Sequence, residues 1–142
     1  MKRREFLAVC GAAAALPARA DSASEVWDVI ASMAAALAED NAAGFLKPIN
    51  LSTPGYDVLA QDVAGMLLQA EVESGILAMR NDGDDWSRTV EVDWYLRLRR
   101  KGNDLRTMNR RQKVTMRFTR DRKRWQVVHL DPISLFAPPN FR

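Results

Sequence analysis

Arg88-Thr89-Val90-Glu91-Val92-Asp93-Trp94-Tyr95-Leu96-Arg97-Leu98-Arg99-Arg100 is the stretch that decides the fold. Val90, Val92, Trp94, Leu96 and Leu98 point one way, while Thr89, Glu91, Asp93, Tyr95, Arg97 and Arg99 point the other. A period of two sustained over this length is a strand with one face buried. Lys101-Gly102-Asn103 then turns the chain, and a second long strand runs from about Arg106 to Thr119. Its apolar face carries Met108, Val114, Met116 and Phe118. A slip of one residue between these strands would drive arginines into the core, so apolar must pair with apolar. The registers that satisfy this set Asp93 opposite Arg111 or Lys113.

Outward from this pair, Asp121-Arg122-Lys123 is a further turn and Arg124 to Leu130 a last strand, ended by Asp131-Pro132. The tail from Ile133 to Pro139 is expected to pack its apolar residues over an edge. On the N-terminal side, Ile76 to Arg80 reads as a short strand and Asn81-Asp82-Gly83-Asp84-Asp85 as a turn. Further back the period becomes helical. Ser24 caps a predicted helix from Glu25 to about Glu39, with Trp27, Ile30, Ala31, Ala34 and Leu37 as its apolar stripe. A short helix spans Ala42 to Leu46. A third starts with Thr53 as cap and Pro54 in its first turn, presents Leu59, Val63, Met66, Leu67 and Ala70, and ends near Ala70. Helices first and a strand meander second make an α+β fold, with N-terminal helices packed on a curved antiparallel sheet of about four strands.

Residues 1–20 read as an export signal. Lys2-Arg3-Arg4 is the basic region, Ala8 to Leu16 the apolar run, and Ala18-Arg19-Ala20 the small-x-small cleavage site. Arg3-Arg4-Glu5-Phe6-Leu7 resembles a twin-arginine signal. Cleavage after Ala20 and a periplasmic or extracellular location are expected, with residues 21–142 forming one domain and membrane contact confined to export. The one cysteine, Cys10, leaves with the signal, which excludes disulfides, thiolate metal sites and cysteine nucleophiles. The chain has one histidine, His129, so a site needing two imidazoles is excluded within one chain. Residues 21–95 hold 3 basic and 14 acidic side chains, and residues 96–142 hold 14 basic and 3 acidic. Such a split marks nucleic-acid or lipid surfaces in some proteins. Here the paired strands account for it as a cross-strand ion-pair face, and no nucleic-acid partner is expected of an exported chain.

The order helix, short helix, helix, short strand and three long strands resembles the nuclear-transport-factor-2-like superfamily, the SnoaL-like or cystatin-like α+β cones. The resemblance rests on the break Glu39-Asp40-Asn41-Ala42-Ala43-Gly44-Phe45-Leu46, the strand Thr89 to Arg100, and the closing Lys123-Arg124-Trp125-Gln126-Val127-Val128-His129-Leu130. It implies a conical cavity between helices and sheet, and homodimers formed through the sheet. It also implies that an enzyme of this type would hold an acid–base group, Asp or His, in the cavity. By strand parity His129 and Asp131 follow Trp125 and Val127 on the apolar face, and Arg110 and Gln112 follow Val114 and Met116. His129 with Asp131 is thus the candidate catalytic pair. The candidate ligand pocket is Trp94, Arg110, Gln112, Met116, Trp125 and His129. Residues 81–85 offer oxygen ligands but lack the alternating pattern of a calcium loop, and no metal or cofactor is expected. The favoured function is a non-catalytic exported binding or accessory module that holds a small apolar molecule or a partner in its cone. The alternatives are a small acid–base enzyme using His129 and a partner protein using its charged sheet face.

Overall fold

The computed structural model describes residues 21–102 and 106–141. The expected export signal lies outside the described residues. Helix α1 (Asp21–Ala38) is followed by α2 (Ala42–Leu46), α3 (Tyr56–Gln69) and the strands β1 (Ala70–Gly83), β2 (Ser87–Arg100), β3 (Thr107–Asp121) and β4 (Arg124–Asp131). A single 3-10 turn, Ile133–Phe136, follows β4. The four strands form one antiparallel sheet in the order β1-β2-β3-β4. This is the expected α+β arrangement.

Helix α1 buries Val26, Ile30, Met33 and Leu37 completely. Ile30, Ala34 and Leu37 face the core as expected, but Ala31 is exposed and Trp27 is half-buried, with Val26 and Met33 buried beside them instead. The longer side chains at 26 and 33 fill the core, where Ala31 would have left space. The helix begins at Asp21, so Ser24 lies inside it rather than capping it. Asn41 caps α2, its carboxamide oxygen accepting the Gly44 N–H at 2.9 Å. Thr53 does not cap α3. Its hydroxyl donates to the Val127 carbonyl at 3.0 Å, and the helix starts two residues after Pro54, behind Gly55 in the left-handed region at φ 79°.

Strand β1 is far longer than the short strand predicted. Asn81 to Gly83, expected as a turn, pair with Arg88 to Val90. The Asp84 carboxylate closes the actual turn, accepting the N–H groups of Trp86 and Ser87, each at 2.8 Å. These two bonds, Trp86 first, hold its pKa below the ordinary value.

Strands β2 and β3 take one of the two expected registers, with Asp93 opposite Lys113 and Val92 opposite Val114. Val90, Val92, Trp94, Leu96 and Leu98 are all fully buried. The outer face is an ion-pair lattice, as the charge pattern requires. Arg111 donates to Asp93 through Nε at 2.9 Å and Nη2 at 2.7 Å, Lys113 lies 3.9 Å from Glu91, and Arg99 pairs with Glu71.

The bond from Arg111 holds Asp93 below its ordinary carboxylate value of 3.8. A depressed folded pKa contributes stability that is fully present above the unfolded value and lost as pH falls through the folded one. Urea midpoints of the native protein and Asp93→Asn are therefore expected to differ at neutral pH. The gap should close as pH drops below 3.8. A gap that widens in acid would contradict the assignment.

Candidate functional site

The cone between helices and sheet is lined by Trp94 and Leu96 from β2, Met116 and Phe118 from β3, and Trp125, Val127 and Leu130 from β4, all buried. The 3-10 turn after β4 drops Phe136 into it. The Phe136 ring is fully buried. Its centroid lies 5.0 Å from that of Phe45 and 5.2 Å from that of Trp94, edge to face at 84°. Trp94 stands 6.2 Å from Phe45, and its indole N–H donates to Ser74 Oγ at 2.9 Å. Edge-to-face aromatic packing stabilises beyond what the buried area alone contributes. The cone is thus packed by the chain's own tail, where the sequence reading placed a ligand.

Arg110 fixes that tail. Its Nη1 donates to the carbonyls of Leu135 at 2.8 Å and Ala137 at 2.6 Å, and its Nη2 to Pro138 at 3.4 Å. Burial lowers its pKa from the ordinary arginine value. A guanidinium is the side chain suited to this task, because it offers five donors in a rigid fork to several acceptors at once.

The expectation that His129 and Asp131 share the inner face with Trp125 and Val127 is corrected. The β3–β4 register shifts between Arg117 and Phe118: Phe118 pairs with Val127, Arg117 with His129, and Met116 with Leu130. Val128 is the extra residue of a bulge, and a bulge reverses which alternate residues point inward. Leu130 is buried in consequence. His129 lies across from Arg117 on the outer face, and Asp131 is exposed opposite Thr115.

The six expected pocket residues do not come together. Trp94 and Met116 are core, Arg110 holds the tail, and Gln112 is exposed. Trp125 sits at the rim, its indole N–H donating to Glu25 Oε1 at 2.9 Å under the Arg120 guanidinium, 5.8 Å from the ring centroid. The acid–base pair is thereby separated from the apolar interior. Among the described residues the buried polar side chains are Ser22 and Thr53. Ser22 donates to Asp85 at 2.7 Å.

Among the described residues, the concavities that open at the surface include three. The first, about 640 Å³, lies between the end of α1 and the β1–β2 pair and is rich in opposed charge, including Asp40, Glu71, Glu73, Arg97, Arg99 and Lys101. Its charges are largely taken up internally: Lys101 Nζ lies 3.2 Å from Asp40 and donates to the Leu67 carbonyl at 2.7 Å. The second, about 560 Å³, carries Leu46, Ile49, Leu51 and Tyr56. The third, about 480 Å³, sets Lys47, Lys123 and Arg124 beside Glu25, Asp28 and Trp125. The sequence reading missed the closure by Phe136 and the Arg110 clamp. The available signal was the apolar Leu135-Phe136 pair after Pro132.

No family model matches the chain. No curated protein matches it either. Solved structures do. A nuclear transport factor 2-like superfamily protein from Salmonella enterica superposes with a TM-score of 0.63 at 13% identity, covering 87% of this chain and 95% of that one. A conserved protein from Planctomyces limnophilus gives 0.63 at 8% identity, covering 79% and 94%. A type 2 hexachlorocyclohexane dehydrochlorinase gives 0.62 at 11% identity, covering 78% and 83%. These similar folds include an enzyme, so they do not choose among activities. What they do show is the fold: the chain is an α+β cone similar to theirs, its helices laid on an open four-stranded antiparallel sheet.

Proposed function

We propose that this protein is a non-catalytic accessory module, exported as residues 1–20 predict, that works by binding a partner at its surface. The observation that carries this reading is the closed cone, with Phe136 seated against Phe45 and Trp94. A ligand entering there would have to displace a fully buried aromatic ring and the tail that Arg110 holds by its carbonyls. The acid–base alternative has less support, because His129 and Asp131 stand outside the cone and acid–base chemistry needs its proton-transfer group within hydrogen-bond reach of a sheltered substrate.

Native mass spectrometry of the processed protein purified from its host tests the reading. The bare polypeptide mass is expected, with no small molecule retained. One equivalent of a small molecule per chain, kept through purification, would overturn it in favour of a ligand-filled cone.

A further inference from the structure

Along the sheet, cations have partners within the chain. Arg111 is held by Asp93, Arg99 by Glu71, Arg80 by Asp82 and Lys101 by Asp40. The turn joining β3 to β4 differs. Arg122, Lys123 and Arg124 are exposed, and among the described residues their side chains make no ion pair and no hydrogen bond. Lys47, just after α2, is exposed and unpaired in the same way. It joins Lys123 and Arg124 around the concavity of about 480 Å³, where Val29, Pro48 and Trp125 supply apolar wall. Glu25, on the helix side of that concavity, is already engaged by the Trp125 indole at 2.9 Å and Arg120 at 3.9 Å.

Arg122 supplies an independent observation. Its φ is 59°, in the left-handed region where a Cβ is crowded and glycine is at ease. The other positive-φ positions among the described residues carry Gly55, Gly83, Gly102 and Asp40, and aspartate is one of the few side chains that tolerate this backbone. At the tip the chain instead keeps an arginine, and no partner of its guanidinium within the chain accounts for it. A cation held on a strained tip and turned to solvent suits a partner outside the chain.

We propose that the β3–β4 tip and the concavity beside it dock an acidic segment of a partner protein. The proposal rests on the reading of this chain as a surface-binding module, and names the surface. Carboxylates of the segment meet Lys47, Arg122, Lys123 and Arg124, and an apolar side chain enters the concavity beside Trp125. The charge pattern favours a polypeptide over an anionic bilayer. Asp28 stands in the concavity and Asp121 opposite Arg124. A bilayer presents negative charge continuously and would meet these aspartates as well. A flexible chain can set its carboxylates against the cations alone, and complementarity of that kind selects partners.

Fluorescence anisotropy of a fluorescein-labelled peptide, a single leucine flanked by aspartates and glutamates, tests the proposal. The processed protein is expected to bind it, and to bind more weakly as salt screens the exposed charges. Lys123→Glu combined with Arg124→Glu should weaken binding about tenfold or more. Arg122→Gly should also weaken it while leaving the thermal midpoint unchanged or higher, because glycine accepts the left-handed backbone. Damage to the fold would instead lower both. Vesicles of phosphatidylglycerol should leave the protein in the supernatant. Failure to bind the peptide at roughly millimolar concentration, or binding that the charge reversals leave unchanged, would overturn the proposal. Sedimentation with the vesicles by a protein that ignores the peptide would overturn it in favour of a lipid surface. A small molecule retained in the native mass spectrum would overturn the underlying reading instead, so the two failures are separate.

Discussion

Phe136→Ala is expected to cost about 3–5 kcal/mol of folding stability. The native ring is fully buried and touches two other aromatic rings. Its removal forfeits the transfer energy of the side chain and leaves a hole. How much a site recovers depends on how far its walls can collapse. Here one wall is fixed, because Arg110 holds the carbonyls of Leu135 and Ala137 on either side of residue 136, and the opposite wall is sheet. The upper part of the range is therefore expected, measured as a shift in the urea midpoint. An apolar hole of this kind stays dry and takes apolar guests. Benzene should bind folded Phe136→Ala and raise its thermal midpoint, while leaving that of the native protein unchanged. Phe136→Leu should recover most of the loss. A cost below about 1 kcal/mol would mean that the tail contributes little to closing the cone.

Leu130→Ala is expected to cost about 2–5 kcal/mol, and His129→Ala under about 1 kcal/mol. The asymmetry comes from the bulge at Val128. Leu130 is 3% exposed and faces Met116, while His129 faces Arg117 on the outside. An unbroken alternation from Trp125 would reverse the two costs, since His129 would then point into the core and Leu130 to solvent. Thermal melts of the two variants side by side decide between these arrangements, and a larger loss for His129→Ala would contradict the bulge.

The parts legible in the sequence are those where charge and apolarity alternate without interruption. In β2 every second residue from Val90 to Leu98 is apolar and its neighbours are mostly charged, so both face and register follow from the cost of burying an arginine. The short helix Ala42–Leu46 was legible because Asn41 and Pro48 bracket it. The bulge was not legible. Val127 and Val128 are both β-branched and suit either face, so nothing marks which one is extra. One unmarked residue was enough to move His129 and Asp131 out of the cone. The extent of β1 was hidden because Ser74 and Gly75 break the alternation and Asn81-Asp82-Gly83 mimics a turn. Thr53-Pro54 carries the chemistry of a helix cap, but a tertiary bond to Val127 takes the hydroxyl. Phe136 lies in a four-residue turn, too short for any periodicity to show which way its ring points.

The central claim is that the cone is closed by the chain's own tail, with the lone imidazole outside. Nuclear Overhauser contacts in the native protein test it most directly. Cross-peaks are predicted from the Phe136 ring to the Trp94 indole and the Phe45 ring, with none from His129 to either. A tail without contacts to Trp94, or an imidazole with contacts to Trp94, would contradict it.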